Sequence, residues 1–258
     1  AGLRYDYFIF DVEDLLPTDS IHSNYSGYNY QSALNPKLNF IYTSSSKLKF
    51  FMNVGSGFHS NDARAVVQTK THQLPLALSA EIGTLFHIKK NVVSAALWGM
   101  DLSNELVYVG DDGTTEDKGS SRRMGIDLSC RMQLLSWLFI DADLNLAKCR
   151  LTDTLLGCIK KTDFYLPLAP SLTSAGGLTV KFDNGFESSI RYRYMKSRPA
   201  NETASVMTHG YNVMDLSASY RFKRYKLGII VENLFNVKWN EAQFDTESRL
   251  LSETAPVD

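Results

Sequence analysis

The sequence predicts an all-β protein, an antiparallel transmembrane β-barrel represented in part by about 11 strands of a larger one. Three observations lead there: long runs of strictly alternating apolar and polar residues, turn-like breaks at fairly even intervals, and aromatic residues gathered at one end of the runs. Alternation sends successive side chains to opposite faces of an extended chain, a period that no helix shares. The 258 residues carry 27 Lys+Arg against 28 Asp+Glu, a net charge of -1, which gives no basic surface for a nucleic-acid partner. An aromatic share of 12% beside a mean hydropathy of -0.19 suits a wall with one apolar and one polar face. No apolar run reaches the roughly 18 residues of a transmembrane helix, so a membrane would be crossed by strands.

The breaks fall near Ser45, Lys90, Ser136, Asn184 and Arg224, and each lies between two alternating runs, so the repeating unit is a hairpin. Longer polar segments separate the hairpins at 11–36, 58–75, 110–120, 153–168, 197–210 and 237–258. Short turns at one rim and long loops at the other are the arrangement of outer-membrane barrels. The strands expected between them are 2–11, 36–43, 47–57, 76–88, 92–109, 121–133, 138–152, 169–182, 186–197, 211–223 and 226–236.

Within these runs the register is explicit. Met124, Ile126, Leu128, Cys130 and Met132 alternate with Gly125, Asp127, Ser129 and Arg131; Leu138, Ile140, Ala142, Leu144 and Leu146 alternate with Phe139, Asp141, Asp143 and Asn145. Phe186, Ser188, Ile190, Tyr192 and Tyr194 oppose Glu187, Arg191 and Arg193, and Met214, Leu216, Ala218, Tyr220 and Phe222 oppose Asp215 and Arg221. A soluble sheet with one wet face also alternates. Runs of about 10 to 13 residues, however, match what crosses a tilted bilayer and exceed the usual strand. Tyr42, Phe86, Trp137, Phe182, Phe186, Phe222 and Tyr225 crowd the short-turn ends, where a membrane interface selects rings with a wet edge. The hairpin interval also resembles a propeller blade, but a blade needs four short strands where each unit here offers two long ones.

An odd strand count cannot close with both termini on one side, and residue 2 already reads as mid-strand, so the sequence is expected to be part of a barrel. The segments GLRYDYFIFDV at 2–12, NPKLNFIYTSSSKLKFFMNVGSGFHSNDAR at 35–64, VYVGDDGTTEDKGSSRRMGIDLS at 107–129, DLSASYRF at 215–222 and GIIVENLFNVKW at 228–239 resemble the C-terminal half of a TonB-dependent outer-membrane receptor, a family of 22-stranded barrels. The resemblance spans nearly the whole chain. It implies residues 1–258 as the C-terminal portion of such a barrel, with the plug domain and the closing strand outside this sequence. It further implies a receptor in the outer membrane of a Gram-negative bacterium, importing a siderophore, metal complex, vitamin or glycan. The partners implied are the TonB energy-transducing complex acting through the plug, outer-membrane lipid, and a small-molecule or metal-chelate ligand.

Two groups of residues follow as candidates. His59, Asp62 and Arg64 open a long loop, and Trp239, Asn240 and Glu241 stand at the same rim; these are the ligand-facing candidates, against a plainer reading as turn caps and local ion pairs. Asp127, Arg131, Asp141, Asp143, Arg191, Arg193, Asp215 and Arg221 fall on the polar face and are expected to line the lumen, facing plug and water. Their interspersed signs suit hydrogen bonding more than an ion-selective ring. No catalytic set, metal signature or cofactor motif is recognisable, so no enzyme, metal or cofactor is expected. Cys149 and Cys158 could pair in an oxidising compartment, although free thiols are the simpler reading. The alternative architecture is a self-contained barrel serving as a passive channel or a surface hydrolase.

Overall fold

The computed structural model describes residues 1–15, 26–59, 63, 66–67, 74–109, 114–117, 119–152, 164–241 and 243–245. Its strands are β1 (Gly2–Val12), β2 (Gly27–Thr43), β3 (Leu48–Phe58), β4 (Leu76–Ile88), β5 (Asn91–Leu102), β6 (Leu106–Val109), β7 (Thr114–Asp117), β8 (Ser121–Gln133), β9 (Leu138–Leu151), β10 (Phe164–Tyr165), β11 (Leu172–Lys181), β12 (Phe186–Met195), β13 (Arg198–Pro199), β14 (Met207–Thr208), β15 (Tyr211–Phe222) and β16 (Tyr225–Val231). One twelve-stranded antiparallel sheet runs β1-β2-β3-β4-β5-β8-β9-β11-β12-β15-β16, with β10 added on β9; β6-β7 and β13-β14 form small separate ribbons. Each long strand therefore pairs with its sequence neighbour in that path, the simplest meander that satisfies both backbone edges without water.

The register assembles the apolar face. Phe40, Met52, Ile82, Leu97, Ile126, Leu146 and Leu172 stand directly opposite one another across seven successive strands. Ile82 and Leu97 are 57% and 55% exposed, many of their neighbours on this face are exposed too, and few of the described residues form a buried apolar core. A soluble one-sided sheet would cover such a face, so its natural solvent is lipid. The stabilising burial is thus supplied by the bilayer, while the backbone ladder holds the wall together.

Short turns close the hairpins as their residues dictate. Ser45 accepts at Oγ from the Leu48 N–H at 3.2 Å, and Asn184 Oδ1 accepts from the Phe186 N–H at 3.0 Å. Lys89 and Lys223 adopt left-handed φ of 55° and 51°, beside Gly185 at 91°. Rings cluster at this rim, with Trp137 and Phe182 centroids 5.2 Å apart, Phe182 and Phe186 6.2 Å apart, and Tyr42 and Phe50 6.5 Å apart.

Three boundaries differ from the sequence expectation. β2 begins at Gly27 because Gly27 to Lys37 pairs throughout with β1, and this long-range ladder outweighs the polar composition of Asn29, Gln31 and Ser32. The run expected over 92–109 breaks after Leu102, where the Ser103 N–H donates to Leu76 O at 2.8 Å and the Glu105 N–H to Gly119 O at 2.6 Å. Finally, β16 stops at Val231 because Asn233 takes a φ of 51° and closes a turn, donating its N–H to Asp215 Oδ1 at 2.8 Å and accepting from the Val237 N–H at 2.9 Å. Cys130 and Cys149 are free thiols, and Cys158 lies outside the described residues.

This register makes opposite demands on neighbouring positions. Leu144→Arg sets a charge in the hydrocarbon and is expected to destabilise by roughly 2–4 kcal/mol near the midplane, whereas Asp143→Asn, on the polar face, is expected to be mild. Equilibrium unfolding from lipid vesicles compares the two, and equal losses would contradict the assigned faces.

Candidate functional site

The polar face carries paired charges in a defined order. Arg131 Nη2 donates to Asp143 Oδ2 at 2.7 Å, and Arg191 Nη1 donates to Asp141 Oδ1 at 2.5 Å. Arg193 lies 3.6 Å from Asp215, and Asn145 Nδ2 donates to Asp127 Oδ1. Arg221 occupies the same face at the short-turn end, opposite Lys226 in the register, and forms no ion pair among the described residues; Glu187 instead takes Lys181 at 3.0 Å and Lys226 at 3.5 Å. Most of these side chains are about half exposed, so each pair adds only about 0–1 kcal/mol. Their combined effect is a lined, nearly neutral polar wall with no ring of one sign.

Small residues make the pairing possible. Gly177 on β11 sits between Asp141 and Arg191 in the register, and a Cβ there would meet Ile190 O and lie 2.9 Å from Arg191 Cδ. Arg191 therefore crosses a whole strand to reach Asp141. Gly125 serves Trp98 in the same way: the indole lies across it, with Cζ2 2.6 Å from where a Cβ would stand. Two shallow grooves result. One, of about 490 Å³, includes Asp127, Asp143, Asn145, Arg193 and Tyr211 in its lining; the other, of about 430 Å³, includes Lys37, Asn53, Glu81, Trp98 and Asp127.

At the long-loop rim the ligand-facing candidates separate. Trp239 packs on Tyr211 with centroids 4.9 Å apart, and the Arg193 guanidinium stands 5.5 Å from the Trp239 ring, joining this loop residue to the polar wall. Gln243 holds the segment in place, accepting from the His209 N–H at 3.0 Å and donating to His209 O at 3.0 Å. Asn240 and Glu241 are exposed beside it. His59 is exposed at the end of β3, its N–H donating to Pro75 O at 3.1 Å, and six strands of the sheet path separate β3 from β15. Asp62 and Arg64 lie outside the described residues.

Two features of this rim escaped the sequence reading. Val66 and Val67 pack with Phe10 against Phe8, Val12, Ala63 and Leu74, and Asn29 Nδ2 donates to Val66 O at 3.2 Å, so Val66 and Val67 are pinned to the inner face of β1 and β2. Glu105 receives Arg123 Nη2 at 2.5 Å and Ser121 Oγ at 2.6 Å, which fastens the segment after β5 to β8. Arg123 could have been placed on the polar face from its odd position on an alternating strand. Glu105 was not, because that segment reads as a continuation of β5. Among the described residues no cluster of His, Cys, Asp and Glu could hold a metal ion, and no helix is long and apolar enough to cross a membrane.

A family model described as TonB dependent receptor-like, beta-barrel matches residues 1–234. The chain belongs to this family. Among solved structures, the siderophore receptor PiuA from Acinetobacter baumannii superposes with a TM-score of 0.75 at 16% identity, over 91% of this chain and 36% of that one. The copper transporter OprC gives 0.73 at 17% identity, covering 93% and 39%, and the ferric citrate transporter FecA gives 0.70 at 17%, covering 85% and 36%. These likenesses establish the barrel fold, and this chain spans little more than a third of the length of those relatives. A search of curated proteins found no match. TonB-dependent receptors are transport proteins of Gram-negative outer membranes, with small ligands and TonB as their partners.

Gly177→Ala is expected to cost about 1–3 kcal/mol, because backbone lies in the way. Gly57→Ala, where a Cβ meets nothing within 4 Å, should stay within about 0.5 kcal/mol of wild type. Urea titration of both refolded variants checks the contrast.

Proposed function

We propose that the chain is the C-terminal part of an outer-membrane active-transport receptor, which captures a scarce nutrient at its outer rim and passes it inward with energy supplied through TonB. The observation that carries this reading is a family-matched wall whose outer face is bare and apolar while its inner face is polar and charge-paired. Such a wall does no covalent chemistry. Its inner pairs offer hydrogen-bonding groups to a plug and to water, and the exposed loop residues together with the Arg193, Tyr211 and Trp239 cluster offer polar and aromatic contacts to ligand. A plug held in this lumen would be remodelled by the energy-transducing partner, shifting the receptor between closed and passing states.

The ligand class is a siderophore, metal complex, vitamin or glycan. Deleting the gene in its host and following labelled ferric chelates, cobalamin, copper and oligosaccharides is expected to abolish accumulation of one of them, as loss of TonB or of the proton gradient does. Uptake that persists without either energy source would favour a passive channel.

The self-contained barrel is tested separately. β1 and β16 end the sheet path without a partner among the described residues, and each open edge in lipid leaves backbone groups that cost several kcal/mol apiece. The isolated 258-residue chain is therefore expected not to insert as a conducting monomer. Reproducible single-channel currents from it in planar bilayers would promote the autonomous reading.

A further inference from the structure

The groove of about 430 Å³ on the polar face is built on a single rung of the sheet. Asn39, Asn53, Glu81, Trp98 and Gly125 stand directly opposite one another across β2, β3, β4, β5 and β8. Adjacent strands lie about 4.8 Å apart, so the four side chains before the glycine form a row about 14 Å long. On the same face, Lys37 stands one position toward the long loops on β2, and Asp127 one position toward the short turns on β8.

The glycine fixes how Trp98 lies. A Cβ on Gly125 would stand 2.6 Å from Trp98 Cζ2 and 2.8 Å from Cε2, so the indole fills the notch that the glycine leaves. Its Nε1 is buried without a hydrogen-bond partner, so shape alone sets the plane of the ring. One face of the half-buried indole rests on β8, and the other lines the groove. Beside this platform Asn53 Nδ2 donates to Glu81 Oε2 at 3.1 Å, and Asn145 Nδ2 donates to Asp127 Oδ1. Lys37 and Asn39 are exposed, and their side chains make no hydrogen bond or ion pair among the described residues.

Two carboxylates against one lysine leave the groove with a negative charge, the wrong sign for an anionic chelate. Donors and acceptors are mixed along the row, and a hydroxyl answers both, since it gives one hydrogen bond and accepts others. A flat indole matches the apolar face of a pyranose ring, and a row spanning four strands matches a chain of such rings. On the transport reading above, we propose that this groove is a subsite for an uncharged oligosaccharide, with Trp98 as its platform and Asn39, Asn53 and Glu81 holding its hydroxyls. The ligand is thereby narrowed to the glycan class.

Cells producing the full-length receptor, with and without TonB, are offered labelled hexasaccharides of glucose, xylose and mannose, and in parallel ferric citrate and cobalamin. One hexasaccharide is expected to accumulate, and only where TonB is present. Trp98→Ala should lower that uptake at least on the order of tenfold and Asn39→Leu on the order of threefold, while Trp98→Phe, which keeps a platform, retains most of it. Heat-modifiable mobility shows which variants assemble, and Asn39→Leu, at an exposed site, carries the test if Trp98→Ala does not. Undiminished uptake in the assembled Ala or Leu variant would overturn the proposal. So would a Trp98→Phe variant as impaired as Trp98→Ala, which would make the indole a purely structural group. TonB-dependent accumulation of ferric citrate or cobalamin without any hexasaccharide overturns this assignment alone. Accumulation of nothing, or accumulation that ignores TonB, overturns the transport reading and this assignment with it.

Discussion

Backbone hydrogen bonding in a solvent without water is the constraint from which the rest of this molecule follows. An unpaired amide or carbonyl costs several kcal/mol in hydrocarbon, so strands must be long, antiparallel and paired along their whole length. The ladder from β1 to β16 meets this demand across eleven consecutive strands. Once the ladder is fixed, side-chain direction is no longer free: every second residue faces lipid and every other faces the lumen. The apolar row from Phe40 to Leu172 and the charged pairs on the reverse face are two readings of one register.

What the inner face does with that freedom depends on small residues as much as on charged ones. Gly177 and Gly125 let Arg191 and Trp98 lie flat along the wall, where a larger side chain would hold them away. The wall thus stays smooth and polar, in keeping with the proposed role of facing a folded plug and releasing it. Stronger, buried pairs would resist such release, since breaking one leaves a costly uncompensated charge. Half-exposed pairs, each contributing little, can exchange partners with water at small cost.

Much of the fold was legible in the sequence because period two is a direct consequence of the pleat. Alternation located Asp127, Asp141, Asp143, Arg131, Arg191, Arg193 and Asp215 on one face, and the structure places them there. The turns at Ser45, Lys90, Ser136, Asn184 and Arg224 were equally plain from their breaks. Long-range contacts were not legible. The pairing of Gly27 to Lys37 with β1, the turn at Asn233 and the docking of Val66 and Val67 each depend on partners distant in sequence or on side chain to backbone bonds. The rim candidates fared unevenly for the same reason: Trp239 proved to be tied to Tyr211 and Arg193, while His59 stands apart at the end of β3.

The central claim, that one face of this sheet meets lipid and the other meets water, is tested most directly by spin labels placed one at a time along Leu138 to Leu146 and Phe186 to Tyr194 in the barrel reconstituted in vesicles. Power saturation against dioxygen, which concentrates in the bilayer, and against a water-soluble nickel chelate reports each position's solvent. The account predicts that even-numbered positions respond to dioxygen and odd-numbered ones to the chelate, with a period of two throughout. A uniform response to the chelate along both strands would contradict it.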